Sequence, residues 1–426
     1  MELLRGAVRP YAWGSRTTIS ELLGRPVPAP HPEAELWMGA HPGDPSQLIA
    51  SDGTERSLLE LVEADPVRQL GSQCAERWGD RLPFLLKILA ADEPLSMQAH
   101  PSAEQAAEGF AREDAAGIPR DAKNRNYPDP TAKPELLCAL TEFHALAGFR
   151  DPGRTVELLR AVQTPGLAPH IALLADQPDA DGMRALFTTW ITLPQPALDE
   201  LLPELLDACV QHIKDGGEFG LECRTVLELG ELHPGDAGVL AALLLNRLVL
   251  GPGEAIHLPA GNLHTYLRGT AVEILANSDN ILRGGLTPKH VDVPELLRVL
   301  DFRCGDMPIL RGEPCATDGL RVYRTATPEF ELSRMSWPAA EFSAAHAEGN
   351  GSQSRTGPEV PIAAGTPQIL LCTEGAVRVS ARNRELVLRR GQSMWLAASD
   401  PSVVLRPFGS APTQVFRATD GLAATG

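Results

Sequence analysis

The spacing of apolar residues changes twice along the chain, and this change most constrains the fold. Before residue 151 and after residue 235, short apolar runs alternate with Gly and Pro, a pattern typical of strands and turns. Between them, apolar residues recur at intervals of three and four, as in Val156, Leu159 and Val162. That spacing is typical of amphipathic helices. The sequence therefore predicts a mainly β protein with an inserted α-helical domain at 151–235.

The last third of the chain is predicted to be a second β domain, at 305–426. Strand-like segments such as QILLCTEGAVRVS and RELVLRRGQSMWLAA are separated by Gly turns, at spacings typical of a sandwich or barrel. Few of its side chains could bind a metal, so we expect a metal-free jelly roll. A Gly-, Ser- and Pro-rich segment at 345–366 is expected to be an exposed loop. The first domain then comprises 1–150 and 236–304.

Charge and cysteine content exclude several classes of function. The 426 residues carry a formal net charge of −17, which repels nucleic acid and anionic membranes, so neither is an expected partner. The most apolar segment, 237–250, is interrupted by Asn246 and Arg247 and is too short to span a bilayer. Seven cysteines, odd in number and without C-x-x-C spacing, indicate reduced thiols and a cytoplasmic protein. Any metal must therefore bind His and oxygen ligands, and we expect a monomer.

One short stretch, PLSMQAHP at 94–101, carries polar side chains at every second position. If it is a strand, Ser96, Gln98 and His100 project from the same face. A Gln and a His two residues apart on one strand can both reach a single metal ion. The alternative interpretation is a polar surface loop between two prolines.

Two later segments offer partners for this stretch. Lys133 and Glu135 lie two residues apart in TAKPELL, and His264 and Tyr266 lie two apart after a Pro-Ala-Gly-Asn turn. Together with the earlier Gln and His, a carboxylate and a second imidazole would suit zinc or another divalent ion. The ligand spacing is nonlocal, so ordinary hydrogen-bonded polar residues remain the alternative at this point.

Six segments of the chain resemble one known family. They occur between residues 11 and 292, and in order they read YAWGS, AELWMGAHPGDPS, LPFLLKILAADEPLSMQAHP, AKPELLCAL, LPAGNLHTYL and VEILANSDNILRGGLTPKHVD. They resemble the type I phosphomannose isomerases, zinc enzymes of the cupin superfamily. The resemblance implies two cupin-type jelly-roll barrels plus an α-helical domain, with zinc in the first barrel. It also implies reversible isomerisation of mannose 6-phosphate and fructose 6-phosphate through an enediol.

The resemblance also implies roles for individual residues. One zinc ion per chain would be held by Gln98, His100, Glu135 and His264, and Arg283 would be the catalytic arginine. The small-molecule sugar phosphate would meet a larger set of side chains, namely Trp13, Glu35, Ser96, Lys133, Tyr266, Glu273, Asp279 and Lys289. Within this set the two lysines are expected to hold the phosphate. Glu273, Asp279 and Tyr266 are candidates for proton transfer, and the sequence does not choose between them.

Two other functions fit parts of this pattern. A non-catalytic cupin could keep the zinc pocket and bind sugar phosphates, although Arg283, Lys133 and Lys289 would then lack a catalytic purpose. A cupin dioxygenase would use iron, but Gln98 replaces a His that such sites usually provide, and the redox chemistry would favour a set of two His and one carboxylate with open positions. Metal analysis and an isomerase assay distinguish the three.

Overall fold

A computed structural model describes residues 1–50, 52–339, 358–382 and 384–422 of the chain. Most of the loop expected at 345–366 lies outside these residues. The strands are β1 Glu2–Arg5, β2 Ala7–Arg9, β3 Glu35–Met38, β4 Gln47–Ile49, β5 Glu55–Ser57, β6 Phe84–Ala91, β7 Met97–Ala99, β8 Glu135–Ala139, β9 Phe143–Phe149, β10 Leu245–Leu250, β11 Ala255–Leu258, β12 His264–Ala276, β13 Leu282–Gly285, β14 Glu313–Pro314, β15 Leu320–Tyr323, β16 Glu331–Trp337, β17 Val360–Ile362, β18 Gln368–Glu374, β19 Ala376–Ala381, β20 Arg384–Arg389, β21 Ser393–Leu396, β22 Val403–Pro407 and β23 Thr413–Thr419.

The α-helices are concentrated between β9 and β10. In chain order they are α1 Thr18–Leu22, α2 Leu58–Ala64, α3 Pro66–Leu70, α4 Ser72–Trp78, α5 Ala103–Ala115, α6 Pro152–Val162, α7 Ala168–Asp176, α8 Ala180–Ile191, α9 Gln195–Lys214, α10 Gly220–Leu232, α11 Gly238–Ala241 and α12 Val293–Val299. Within the described ranges, every helix is too short or too polar to serve as a membrane span.

A ten-stranded antiparallel sheet is built around β12, the longest strand. The first half of β12 pairs with β7 and β9, and the second half pairs with β6 and β8. The register shifts between Tyr266 and Arg268, and Gly269 follows at φ +123°, a conformation that strongly favours glycine. This bend lets one strand join the two groups of neighbours. It also places the start of β12 beside β7.

The two faces of this sheet have different neighbours. On β6, Leu86 and Ile88 belong to an apolar cluster that also contains Ile369 and Phe416 of the C-terminal strands. Leu85 points the other way, against Trp37 and away from that cluster. Strand alternation places Lys87 on the same side as Leu85, and we call this side the site face.

A second, nine-stranded sheet runs in the order β14-β15-β16-β23-β18-β21-β1-β4-β5. Strand β1 lies between β21 and β4, with Glu2 opposite Trp395. The predicted first domain includes residues 1–150, and some of its short strands pair in this second sheet. Residues 2–5, 47–49 and 55–57 extend the sheet of the last third, and strand pairing within that sheet satisfies backbone hydrogen bonds of these residues.

The helical segment predicted from apolar spacing at 151–235 is confirmed by α6 to α10. Val156, Leu159 and Val162 are buried, as the three- and four-residue spacing predicts. The same apolar cluster contains Met97 of β7 and Leu263 beside β12. The helices therefore pack against strands that carry the candidate site, and the division into separate domains remains a prediction.

Candidate active site

Three buried side chains meet on the site face. His100 directly follows β7, Glu135 begins β8, and His264 begins β12. The sheet brings them together, because β12 pairs His264 with Gln98 and pairs Leu275 with Glu135. One ligand atom from each of the three side chains lies within 4.8 Å of the others. Each of the three is at most 2% exposed.

The hydrogen bonds of the two imidazoles fix which nitrogen faces the centre. Nδ1 of His100 lies 2.7 Å from the carbonyl oxygen of Asn280, and Nδ1 of His264 lies 3.0 Å from that of Asn262. Each Nδ1–H therefore donates, which leaves a lone pair on each Nε2. These Nε2 atoms lie 3.2 and 3.5 Å from the two oxygens of Glu135, and neither forms a hydrogen bond among the described residues.

This arrangement is unfavourable unless a cation lies between the three groups. Two nitrogen lone pairs that face one carboxylate repel it, and buried polar atoms are rarely left unpaired. A divalent metal ion would use all of these lone pairs at once. Zinc takes this kind of His and carboxylate donor set, usually with a further ligand. The residues present therefore fit a zinc ion.

Charge on the neighbouring lysine prepares the site for a metal. Burial opposes ionisation of Glu135, but the positive charge of Lys133, with Nζ at 3.0 Å, outweighs it. This charge holds the pKa of the carboxyl well below its usual range. Burial, reinforced by Lys133, lowers the pKa of His100 to about 4. The site therefore presents an anionic carboxylate and a neutral imidazole, the forms that bind metals.

Gln98 stands beside these three residues. The strand register places it opposite both His264 and Arg283, and it is half-buried. Alternation along the strand puts it on the same face as His100, since the intervening Ala99 is buried on the other side. Its role as a fourth ligand stays a prediction.

A second charged cluster lies on the same face, around Lys87. Nζ of Lys87 lies 3.6 Å from Glu35 and 3.7 Å from Glu273, and 5.0 Å from the ring centre of Trp37. The hydroxyl of Tyr266 donates to Glu273 at 2.7 Å. All five side chains are buried. The structure thus brings together three predicted substrate-binding residues and one lysine that the prediction omitted.

The two clusters are linked through Tyr266. Its hydroxyl also lies 3.4 Å from Glu135, so it joins the candidate metal ligands to Glu273. Burial and the nearby charge of Glu135 raise the pKa of Glu273 to about 7, although Lys87 opposes the shift. Burial alone would lower the pKa of Lys87, but Glu35 and Glu273 raise it above its usual value. Lys87 is therefore a permanent cation beside a carboxyl that can gain or lose a proton near neutral pH.

Lys87 could have been found from the sequence. It interrupts the run LPFLLKILA, which otherwise consists of apolar residues and one proline. Such a run predicts a strand that is buried on both faces, and a lysine within it needs carboxylate partners. The missing signal was the identity of those partners, which come from β3 and β12.

The remaining predicted residues occupy different environments. Arg283 on β13 is half-buried, and its pKa is lowered by burial alone, with no anion opposing the shift. Nε2 of His41 lies 3.3 Å from a carboxylate oxygen of Asp279, and the hydrogen bond from His41 lowers the pKa of Asp279 despite the opposing effect of burial. Trp13 is half-buried and stacks on Tyr11.

Two predicted phosphate-binding lysines differ from each other. Lys133 is buried and its ammonium contacts Glu135, so it is not a free cation at the rim of the site. Lys289 is exposed, in the segment between β13 and α12. Ser96 is half-buried, two residues before Gln98, which is compatible with the predicted shared face.

Known proteins with similar sequences and structures identify the family. A family model described as phosphomannose isomerase type I, catalytic domain, matches residues 1–152. Mannose-6-phosphate isomerase of Escherichia coli is 37% identical, over 96% of this chain and 98% of that protein. A crystal structure of a single-residue variant of phosphomannose isomerase from Salmonella typhimurium superposes with a TM-score of 0.84, at 34% identity and 99% coverage of both chains. A mannose 6-phosphate isomerase bound with zinc and yttrium superposes at 0.83, also at 34% identity and 99% coverage of both chains. The chain therefore belongs to the type I phosphomannose isomerase family.

Proposed function

We propose that this chain interconverts mannose 6-phosphate and fructose 6-phosphate on the site face. The observation that carries the proposal is the pair of unpartnered imidazole nitrogens that face Glu135, directly beside a buried carboxyl with a pKa near neutrality. Family membership and the activity named for the Escherichia coli and Salmonella relatives support it.

One zinc ion per chain would be held by His100, Glu135, His264 and Gln98. A bound zinc ion acts as a Lewis acid that polarises a sugar oxygen. The protein's own contribution is to fix the ligands: Asn280 and Asn262 accept hydrogen bonds from the imidazoles and set their orientation.

Proton transfer between C2 and C1 requires a group that can accept and return a proton near neutral pH. Glu273 fits this role, because it is joined to the candidate metal ligands through Tyr266 and its pKa, about 7 without metal, would be lowered by the ion toward the ionised form that accepts a proton. In the forward direction its carboxylate would take the proton from C2 of the aldose, while the carbonyl oxygen on C1 gains a proton. The resulting enediol would then receive the proton from Glu273 at C1 and lose one from the oxygen on C2. Lys87 and Tyr266 would hold the carboxyl in place throughout.

Arg283 and Lys289 would manage the negative charge of the substrate. Arg283 lies opposite Gln98 and has no ion pair among the described residues, so its guanidinium is available to a developing enediolate. Lys289 at the rim would approach the phosphate. Lys133 instead stabilises the ionised form of Glu135, and Trp13, Ser96, Asp279 and Glu35 would shape the surrounding pocket.

We also propose that the three sheets form two cupin-type jelly rolls with a helical insertion. The ten-stranded sheet would be the zinc-binding barrel. The nine-stranded and four-stranded sheets would form the second barrel, with β1, β4 and β5 supplied by the N-terminal region. The superposition on the Salmonella enzyme over 99% of both chains supports this arrangement.

Isotope incorporation tests the function and its chemistry together. Fructose 6-phosphate is incubated with the zinc-loaded protein in heavy water and followed by NMR. We expect mannose 6-phosphate that carries some deuterium at C2, because the transferred proton passes through a carboxyl that exchanges with solvent. No conversion would support the non-catalytic binding protein instead. Conversion without any deuterium would argue against Glu273 as an exchanging base and favour a hydride shift.

A further inference from the structure

A cavity of about 250 Å³ lies outside the candidate active site. It is lined by the end of α4, the segment after it, residues 131–132, Asn277 and Glu329 of the C-terminal region. Leu82, which lines it, belongs to the apolar cluster between the two large sheets. That cluster lies on the opposite side of β6 from Lys87, and the lining of the cavity includes none of the candidate metal ligands or the residues around Lys87.

Two arginines give this cavity a local positive charge. Arg77 and Arg81 both line it, both are exposed, and neither forms an ion pair with a carboxylate in the described ranges. Arg81 donates to the carbonyl oxygen of Asn277 at 3.1 Å, and the Arg77 guanidinium lies 5.1 Å from the ring centre of Trp78. The cavity lining contains these two guanidiniums and one carboxyl, that of Glu329, so the lining itself is net positive in a chain with a net charge of −17.

Buried acceptors line the same cavity. Asn277 is 8% exposed, and its Oδ1 has no hydrogen-bond partner among the described residues, while its Nδ2 donates to the carbonyl oxygen of Leu82 at 3.1 Å. Glu329 is half-buried, and burial raises its pKa although Arg77 opposes the shift. A half-buried carboxyl in the wall of a cavity favours a ligand with hydroxyl donors.

These groups together define the chemistry of a ligand. Guanidiniums bind phosphate, acceptors bind hydroxyls, and the ring of Trp78 offers a flat apolar surface. The volume lies slightly below the range of about 300–1,000 Å³ for drug-sized ligand pockets, which favours a small ligand over a nucleotide. We propose that this cavity is a second, non-catalytic site for a small phosphorylated sugar or sugar alcohol.

The cavity is connected to the metal centre by two short loops. Asp129 accepts hydrogen bonds from Ser278 at 3.0 Å and from the backbone N–H of Asp279 at 2.8 Å, which joins the loop before β8 to the loop after β12. Asn277 lies three residues before Asn280, whose carbonyl oxygen orients His100. A ligand that contacts Asn277 and residue 131 therefore touches both loops and would couple to the catalytic site.

Calorimetric titration of the zinc-loaded protein with mannitol 6-phosphate, which cannot be isomerised, tests the proposal. We expect two sites per chain in the wild type. The double variant R77A/R81A should lose one site and keep its kcat/KM, and R283A should weaken the other site. At the second site, mannitol and inorganic phosphate should each bind much more weakly than mannitol 6-phosphate does.

A matched control, R160A/R224A, removes two other exposed arginines on the helical block that form no ion pair with any described residue, and it should titrate like the wild type. An R77A/R81A titration that matches the wild type, or an equal loss in the control, would overturn the proposal. Inorganic phosphate that binds as tightly as mannitol 6-phosphate would show a bare anion site and overturn the sugar assignment. Only the R283A titration depends on the catalytic site. If the isomerase proposal failed, the comparison of R77A/R81A with R160A/R224A would still test the second site.

Discussion

Buried charges on the site face do not balance by themselves. Lys87 and Lys133 face three carboxylates, those of Glu35, Glu135 and Glu273. In the metal-free chain, burial and this excess negative charge raise the pKa of Glu273. Protonation of Glu273 then removes one negative charge. A divalent cation at Glu135 would supply the missing positive charge and would lower the pKa of Glu273. Metal binding and proton affinity are therefore coupled at this site.

Replacing Glu273 by Gln tests this charge balance in the metal-free protein. The pKa of Glu273 is raised from about 4.5 in the unfolded chain to about 7, so the native state keeps a proton that the unfolded chain releases. The contribution of Glu273 to the free energy of unfolding is therefore full below pH 4.5 and is lost as the pH rises to 7. As the pH rises through this range, the free energy of unfolding measured with urea should fall by up to a few kcal/mol more in the wild type than in Glu273→Gln. A constant difference between the two proteins would contradict the raised pKa.

Arg283 provides a test of catalysis that is separate from metal binding. Arg283→Ala should lower kcat by roughly 10²- to 10³-fold, as the loss of one preorganised charge donor does elsewhere. Zinc content, measured by atomic absorption, should stay unchanged because Arg283 is not a predicted ligand. Arg283→Lys should recover part of the rate, since it restores the charge without the planar fork. Unchanged turnover in the alanine variant would remove Arg283 from the mechanism.

Individual elements followed from sequence where the signal was local. The strand interpretation of PLSMQAHP is confirmed by β7 at 97–99, because alternation is a local pattern, and Ser102 marks the start of α5 by an equally local one, the Ser N-cap. The structure adds a full capping box, in which Ser102 and Gln105 exchange hydrogen bonds. The partners of Lys87 and the carbonyl acceptors of the imidazoles could not be predicted, because they depend on strand pairing between distant segments.

The loop that precedes β8 positions the metal centre from a distance. Asp129 accepts hydrogen bonds from Ser278, Asp279 and Thr131, and this network holds the loop whose Asn280 carbonyl orients His100. Asp129→Ala should therefore weaken zinc affinity by about 10- to 100-fold, the usual cost of losing a supporting contact. Competition with a chromogenic chelator measures the affinity.

Asp121 is a matched control for this prediction, because it is an exposed aspartate in the same long loop. Asp121→Ala should bind zinc like the wild type. Equal zinc affinity in Asp129→Ala and wild type would show that the loop does not position the metal ligands.

At the scale of the whole molecule, the N-terminal region joins the two large sheets. Strands β2 and β3 belong to the ten-stranded sheet, whereas β1, β4 and β5 belong to the nine-stranded sheet. The sequence could not show this exchange, since short strands carry no information about which distant strand they pair with. It did indicate strands on both sides of a helical segment, because hydrophobic period is read locally, and the described residues form a mixed helix and sheet structure. The cytoplasmic location and monomeric state stay predictions.

Replacing Leu4 tests whether the two large sheets unfold together. It is 4% exposed, on β1, within the apolar cluster that contains side chains of both large sheets. Leu4→Ala should lower the free energy of unfolding by about 2–5 kcal/mol, the usual cost of such a cavity. We expect one shared transition by circular dichroism and by tryptophan fluorescence, shifted to lower denaturant. Leu3→Ala, at a half-buried neighbour, should have a smaller effect. Two separate transitions, with only one shifted, would contradict the shared core.

The most direct test of the central claim is isomerase activity measured against bound zinc. The protein is stripped with a chelator, reloaded in steps, and assayed with mannose 6-phosphate while zinc per chain is measured in the same samples. If zinc bound by His100, Glu135 and His264 is required, we expect no turnover without metal. Activity should then rise linearly with bound zinc until there is one zinc ion per chain. Full activity in a sample shown to contain no metal would contradict it.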